Sequence, residues 1–423
     1  MADWKNIPVI CAFASILMQV DLYCSDWNQY RGPDYNSISR EIGVSTNWNE
    51  KSIKTLWRVE LHGGFSSFSV RGNRVFTLDK WIEDGVPKEF CIALDADTGK
   101  QLWAKEMGIA RYDYAYDAAP YDGPRSTPTV VDGKVYALSA HLSLYCLDEK
   151  DGKAIWSKDL IKEFGAQNIG WQNAASPIVE NGVVILNCGA KGQSFLGLNK
   201  DTGEIKWKNG DFGLTHSTPS VATIHGVKQA VFMTQQAVVS ISPENGKILW
   251  QHNFPRSVSI ASSPVVANDI VYCTAGYGVG AYAFKVTKNA DSWTVRELWR
   301  KVGNKHCNQW STPVYVNGFL YGIFGFKQYK TAPLKCLEIG TGNERWVQDG
   351  FGMGNLIYVN GFFIVLSDQG DVYLVEANPR EYREIGKVKG PSGNCWSTPA
   401  YSNGRLYLRS HKEGICLIVS EQK

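Results

Sequence analysis

Short runs of alternating apolar and polar residues, separated by Gly-bearing turns, recur along almost the whole chain. In PTVVDGKVYAL (Pro128 to Leu138) an apolar run meets an Asp-Gly turn and resumes as a second run, and PVYVNGFLYGI (Pro313 to Ile323) repeats the arrangement. A period of two with a tight turn between the arms predicts antiparallel β-hairpins. Ser/Thr-Pro opens these hairpins at Thr127-Pro128, Ser176-Pro177, Thr218-Pro219, Ser263-Pro264, Thr312-Pro313 and Thr398-Pro399, with degenerate copies at Ser67-Phe68 and Gly354-Asn355.

A second series interleaves with the first: a polar residue, a Gly four positions later and a Trp four after that. It occurs at Asp95–Gly99–Trp103, Asp148–Gly152–Trp156, Asn199–Gly203–Trp207, Ser242–Gly246–Trp250 and Glu338–Gly342–Trp346. Trp57 and Trp299 keep the Trp without the turn, so the series runs from 57 to 346 with a mean spacing near 48. Each unit thus reads as two hairpin strands, a third strand ending at the polar residue, a tight Gly turn, and a fourth strand carrying the Trp. Four short strands repeated at this period predict an all-β fold, an eight-bladed β-propeller of four-stranded antiparallel blades. The inner strands are expected to begin near Phe65, Arg125, Ala174, His216, Ala261, Trp310, Gly352 and Trp396. The eighth unit has room for only three strands, whereas residues 54–60 form a Trp-bearing strand with no blade before it. They are expected to complete the C-terminal blade, which closes the ring and removes an open sheet edge. The tryptophans are expected between neighbouring blades, and the glycines where a turn needs positive φ.

Composition narrows the function. Of 423 residues, 44 are Lys or Arg and 41 are Asp or Glu, a net charge of +3 with no basic cluster, which argues against a nucleic-acid partner. Lys5 precedes a 14-residue apolar stretch, Ile7 to Val20, too short to span a bilayer but suited to an export signal. The expected organisation is a cleaved signal over 1–25, an N-terminal extension over 26–53 and a single propeller over 54–423. The product would be periplasmic or in the cell envelope, monomeric, and without a membrane span. Cys24 could carry a lipid, although bulky Tyr23 precedes it. The eight remaining cysteines show no CxxC, haem-attachment or zinc spacing. Cys146, Cys336 and Cys416 share one repeat position and read as small buried hydrophobes.

The segment ALDADTGKQLW (Ala93 to Trp103) resembles the A-x-D-x-x-T-G-x-x-x-W tail of the pyrroloquinoline-quinone (PQQ) type propeller repeat. Trp27-Asn28-Gln29-Tyr30-Arg31-Gly32-Pro33 resembles the W-x-Q-x-R-G-P start of exported PQQ-like propeller proteins. The resemblance brackets the function between quinoprotein alcohol dehydrogenases, which are enzymes, and the lipoprotein subunit of the outer-membrane β-barrel assembly machinery, a non-enzymatic scaffold. The enzymes imply a vicinal disulfide and a quinone beside calcium held by Glu, Asn and Asp. This chain has no adjacent cysteines and no haem motif. PQQ with calcium is therefore the alternative, and no cofactor and no metal is the expectation.

Propellers bind along the channel or at the face where loops enter the inner strands. The residue three before each repeat Pro varies while its neighbours repeat: Phe65, Arg125, Ala174, His216, Ala261, Trp310, Gly352 and Trp396. This set lacks a carboxylate, a poor calcium site, but offers rings for stacking on a planar or sugar-like ligand and Arg125 for an anion. Insertions at Arg111 to Pro124 and at Glu163 to Asn173, which holds Trp171, flank the same mouth. The expected ligand-contact set is Arg125, Trp171, Lys191, His216, Arg256, Gln309, Trp310 and Trp396, with no catalytic residue among them. The function this implies is a binding or scaffold protein of the envelope with a small molecule, glycan or envelope protein as partner. The alternatives are a PQQ-dependent oxidoreductase and a glycan-binding propeller.

Overall fold

The computed structural model describes residues 25–112, 122–327 and 332–421. Nearly all of the expected export segment, Cys24 included, and most of the Tyr- and Asp-rich insertion lie outside the described residues. Eight sheets form the ring. Blades one to seven run from Ser69 to Ile109, Thr129 to Asp159, Ile178 to Asn209, Ser220 to Asn253, Val265 to Lys301, Val314 to Gln348 and Asn355 to Lys389. Blade eight consists of Ala400–Ser402, Arg405–Arg409 and Glu413–Ile418, completed by Lys54–Glu60. That strand pairs antiparallel with Glu413–Ile418, from Lys54 opposite Ile418 to Glu60 opposite Glu413, so the chain start closes the ring as expected.

The repeat residues are explained by contacts between blades. Trp103 of blade one reaches the Gly turn of blade two and donates its indole N–H to Glu149 O at 3.0 Å. A Cβ on Gly152, at φ +72°, would lie 2.7 Å from the Trp103 ring. The same interlock joins Trp57 to Gly99, Trp156 to Gly203, Trp207 to Gly246 and Trp299 to Gly342. In the first three copies the polar residue that opens the motif caps the turn: Asp95 Oδ1 accepts from the backbone of Thr98 at 2.9 Å and of Asp97 at 3.1 Å, and Asp148 and Asn199 do the same. Across the sheet, Cys146, Cys336 and Cys416 face Trp156, Trp346 and Trp57. All eight described cysteines are free and buried.

The Ser/Thr before each Pro ties inner strands together around the channel. Ser67 N–H donates to Thr127 Oγ1 at 3.0 Å, Thr127 N–H to Ser176 Oγ at 2.9 Å, and Ser176 N–H to Thr218 Oγ1 at 2.9 Å. Ser263 and Thr312 continue the pattern at 2.9 Å, and Thr398 N–H returns to Ser67 Oγ at 3.0 Å. A hydroxyl at this position therefore does the work of a backbone acceptor between strands that are not hydrogen-bonded as a sheet.

The N-terminal segment is built into the ring. Trp27 O accepts from Val70 N at 2.8 Å in blade one, and Asn28 O from Val130 N at 2.8 Å in blade two. Tyr35 Oη donates to Val179 O in blade three at 3.2 Å, and Arg31 reaches Ser220 of blade four. Ile38–Ser39 then pairs in parallel with Tyr358–Val359 of blade seven, and the Glu41 carboxylate accepts from Asn403 and Gly404 N–H of blade eight at 2.8 and 2.9 Å. All these partners lie on innermost strands or the turns that follow them, at the channel end away from the ring of positions 65 to 396.

Candidate functional site

The two ends of the channel are unlike. Loops entering the innermost strands, and loops joining second to third strands, share one face of an antiparallel blade. Together they surround a cavity of about 330 Å³. Seven of the eight variable inner positions line it: Phe65, Arg125, Ala174, His216, Ala261, Trp310 and Trp396. Gly352, read as the eighth, does not. It holds φ +58°, and a Cβ there would meet Asp368 at 2.3 Å, so the position is reserved for backbone packing. Of the expected contact set, Arg125, Trp171, His216, Gln309, Trp310 and Trp396 are brought together, while Lys191 and Arg256 are exposed and outside the lining. Those two sit on loops of the right face but too far from the axis. Asn308, next to Gln309, is buried and engaged: it accepts from Tyr272 Oη and donates to Ile323 O, both at 2.7 Å.

Two aromatic groups flank the cavity. Trp396 stacks on Phe65 at 4.7 Å and tilts against Trp310 at 5.0 Å, with Lys327 Nζ 4.3 Å from its ring centre. Trp310 is oriented by its indole N–H, which donates to Met353 O at 3.2 Å, and Trp396 by its carbonyl, which accepts from Asn355 Nδ2 at 2.7 Å. Opposite, Trp171 lies 6.4 Å from Tyr277 and 6.3 Å from His216. Trp171 and Gln172 hold φ of +61° and +55°, a left-handed pair that a bulky side chain adopts at a cost of about 1 kcal/mol or more per residue. Arg125 ties this side together, donating Nη1 to Trp171 O at 2.8 Å and Nη2 to Asp122 Oδ1 at 2.5 Å.

His216 is buried and spends both ring nitrogens, Nε2 on Gly170 O at 2.9 Å and Nδ1 on Ser259 Oγ at 3.0 Å. Burial pulls its pKa down to about 4, the nearby Arg125 cation adds to this, and the Gly170 bond opposes it. The neutral ring therefore donates from Nε2 and accepts the Ser259 hydroxyl at Nδ1. Burial also lowers the Lys327 ammonium, against the pull of Asp122. Lys327, Tyr277 and Tyr30, which is on the lining as the floor from the N-terminal segment, are additions that the sequence reading missed. Lys327 and Tyr277 come from loops between second and third strands, which share no motif that an alignment of the repeats could use.

The cavity's donor set does not suit a calcium-bound quinone. A hard divalent cation wants several anionic oxygens. Asp122 is the single carboxylate among the lining residues, and Arg125 engages it. No group of three His, Cys, Asp or Glu placed to hold a metal ion occurs among the described residues.

This architecture defines a PQQ-like propeller with a closed ring. The family described as outer membrane protein assembly factor BamB matches residues 87–322, and the chain belongs to it. Its sequence is 25% identical over 359 residues to the outer membrane protein assembly factor BamB of Moranella endobia (strain PCIT), covering 81% of this chain and 82% of that protein. It is also 25% identical over 331 residues to the tetrathionate hydrolase of Acidithiobacillus ferrooxidans, covering 72% of this chain and 59% of that enzyme. Among solved structures, the quinohemoprotein alcohol dehydrogenase of Comamonas testosteroni superposes with a TM-score of 0.64 at 12% identity, over 94% of this chain and 81% of that one, a likeness of fold alone.

Proposed function

We propose that this chain is an exported binding or scaffold protein of the cell envelope that takes its ligand at the channel mouth. The observation that carries the reading is the convergence of Phe65, Trp171, Tyr277, Trp310 and Trp396 with Arg125 and Lys327 on one cavity of about 330 Å³. A stacking surface beside two cations suits a planar or sugar-like ring bearing an anionic group. The left-handed Trp171-Gln172 pair supports it, because such strain concentrates where a side chain must be aimed. The assembly-factor names of the relatives support an envelope role, and the apolar run before residue 25 supports export. No helix among the described residues is long and apolar enough to cross a membrane. Trp171, His216, Gln309, Arg125, Trp310 and Trp396 are contact residues in this reading, not catalytic ones, since His216 has no nitrogen free for proton transfer.

Tryptophan fluorescence titrations with a carbohydrate panel, and with PQQ plus calcium followed by dye-linked alcohol oxidation, test this. We expect a saturable change with a ligand of the stacking class that is lost in Trp310→Ala/Trp396→Ala. Turnover with quinone and calcium would replace the binding reading with the oxidoreductase one, and binding unchanged in the double variant would move the site elsewhere.

A further inference from the structure

The opposite end of the channel holds a second cavity, of about 410 Å³, walled in part by the Trp27-to-Pro33 segment. Most of that segment builds a turn. Gln29 Nε2 donates to Gly32 O and Pro33 O, both at 3.1 Å, and Gly32 N–H donates to Gln29 O at 3.1 Å. Gly32 holds φ +76° with the Trp27 ring 3.0 Å from where a Cβ would sit. What the turn presents is Arg31, itself at φ +66° and 3% exposed.

Arg31 is a buried cation without an anion. Its Nε donates to Ser37 Oγ at 3.2 Å and its Nη1 to Ser220 Oγ at 3.1 Å, both neutral hydroxyls. A guanidinium has five N–H donors in a planar fork, so most of its capacity is unspent among the described residues. The two carboxylates on the cavity wall are engaged elsewhere. Asp34 accepts from Arg40 Nε and Nη2, at 2.9 and 2.8 Å, and Glu180 accepts from Lys228 at 2.6 Å. Burial pulls the Arg31 pKa down to about 10, with no carboxylate acting to restore it. Buried charges in folded proteins are paired, because desolvating a lone ion is costly. Ser220 Oγ donates onward to Pro264 O at 2.7 Å, so this hydroxyl must accept from Arg31 and fixes the orientation of the fork. Ser37, buried and outside the cavity lining, holds the other edge of the guanidinium by accepting from Nε.

We propose that this cavity binds a small oxyanion, gripped by the N–H groups of the Arg31 fork that Ser37 and Ser220 leave unspent, with those two hydroxyls positioning the guanidinium. The fork matches two oxygens of a phosphate, sulfate or carboxylate alike, so the test carries one arm for each. Thermal unfolding and calorimetric titration are run with sodium phosphate, sulfate or acetate at constant ionic strength made up with chloride. We expect at least one anion to bind with a stoichiometry of one and to raise the unfolding midpoint saturably. Arg31→Gln is expected to abolish the response, and Arg31→Lys, which keeps the charge and loses the fork, to weaken binding at least about tenfold. Should Arg31→Gln not fold, Ser220→Ala reads the same contact as a several-fold loss. No saturable response of the unaltered protein to any of the three, up to on the order of 10 mM, overturns the proposal. A response that survives Arg31→Gln but vanishes in Arg125→Gln also overturns it, and assigns the anion to the mouth.

Discussion

His216 shows how one buried ring reports on the mouth. With its pKa near 4 in the fold and 6.5 in the unfolded chain, the unfolded state takes up a proton first as pH falls. Its contribution is fully present above about pH 6.5 and is lost progressively toward pH 4, a swing on the order of 3 kcal/mol. His216→Gln, which can still donate to Gly170 O, should therefore lose less stability than the unaltered protein between pH 7 and 4.5 in urea titrations. Parallel losses would mean the ring is not held neutral. Glu89 has the opposite sign. It is 1% exposed, accepts from Tyr112 Oη and from Ala140 N–H at 3.0 Å, and is pushed up to about 7 chiefly by burial. The unfolded chain releases this proton near 4.5 and the fold holds it to about 7, so the group destabilises as pH rises through that window. Glu89→Gln is expected to gain stability relative to the unaltered protein between pH 5 and 8, and an unchanged difference would refute the burial assignment. Arg125, Trp310 and Trp396 could be read from sequence because eight aligned copies expose the one position that varies. Lys327 and Tyr277 could not be read that way, since their loops have no common motif to align. Lys191 and Arg256 show the converse: a loop on the correct face does not set distance from the axis.

Five of the eight blade-to-blade seams are a Trp from one element pressed on a Gly turn from the next, which is why the motif repeats as a unit. Two glycines of blade two separate backbone strain from this packing. Gly133 and Gly152 hold φ of +75° and +72°, but a Cβ on Gly133 meets nothing within 4 Å, whereas one on Gly152 strikes the Trp103 ring at 2.7 Å. Gly133→Ala should cost about 1–2 kcal/mol for the left-handed backbone, and Gly152→Ala about 1–3 kcal/mol more for overpacking. Chemical denaturation of both variants gives the difference, and equal costs would show that the interlock carries no packing energy. The exceptions are informative. Blade five has a long hairpin where the Gly turn would be, and Trp250 of blade four donates instead to Gln229 Oε1 of its own blade at 2.7 Å. In blade seven Gly386 occupies the repeat-Trp position, and Trp48 from the N-terminal segment fills the space, its indole N–H on Val372 O at 3.2 Å. Periodicity reveals a missing Trp but not which distant residue replaces it.

At the scale of the whole molecule, the ring was legible and its plug was not, for one physical reason. Blades repeat because each must fit the next, so their pattern recurs along the chain. The segment from Trp27 to Val44 touches six different blades through a different residue and a different contact in each, and such a structure leaves no period. It nevertheless crosses the inner strands at that end of the channel, lines the mouth cavity with Tyr30 and walls the second cavity with Arg31. A chain beginning at residue 46 retains Trp48 and the closing strand Lys54–Glu60, so the ring can still form without the plug. In that chain the amides of Val70, Val130 and Tyr358 lose their acceptors Trp27 O, Asn28 O and Ser37 O. Their hydrogen exchange should accelerate by orders of magnitude, while amides between second and third strands, such as that of Leu147, stay slow. Uniform acceleration would instead show that the plug holds the ring closed, and unchanged protection would show that the inner strands need no cover.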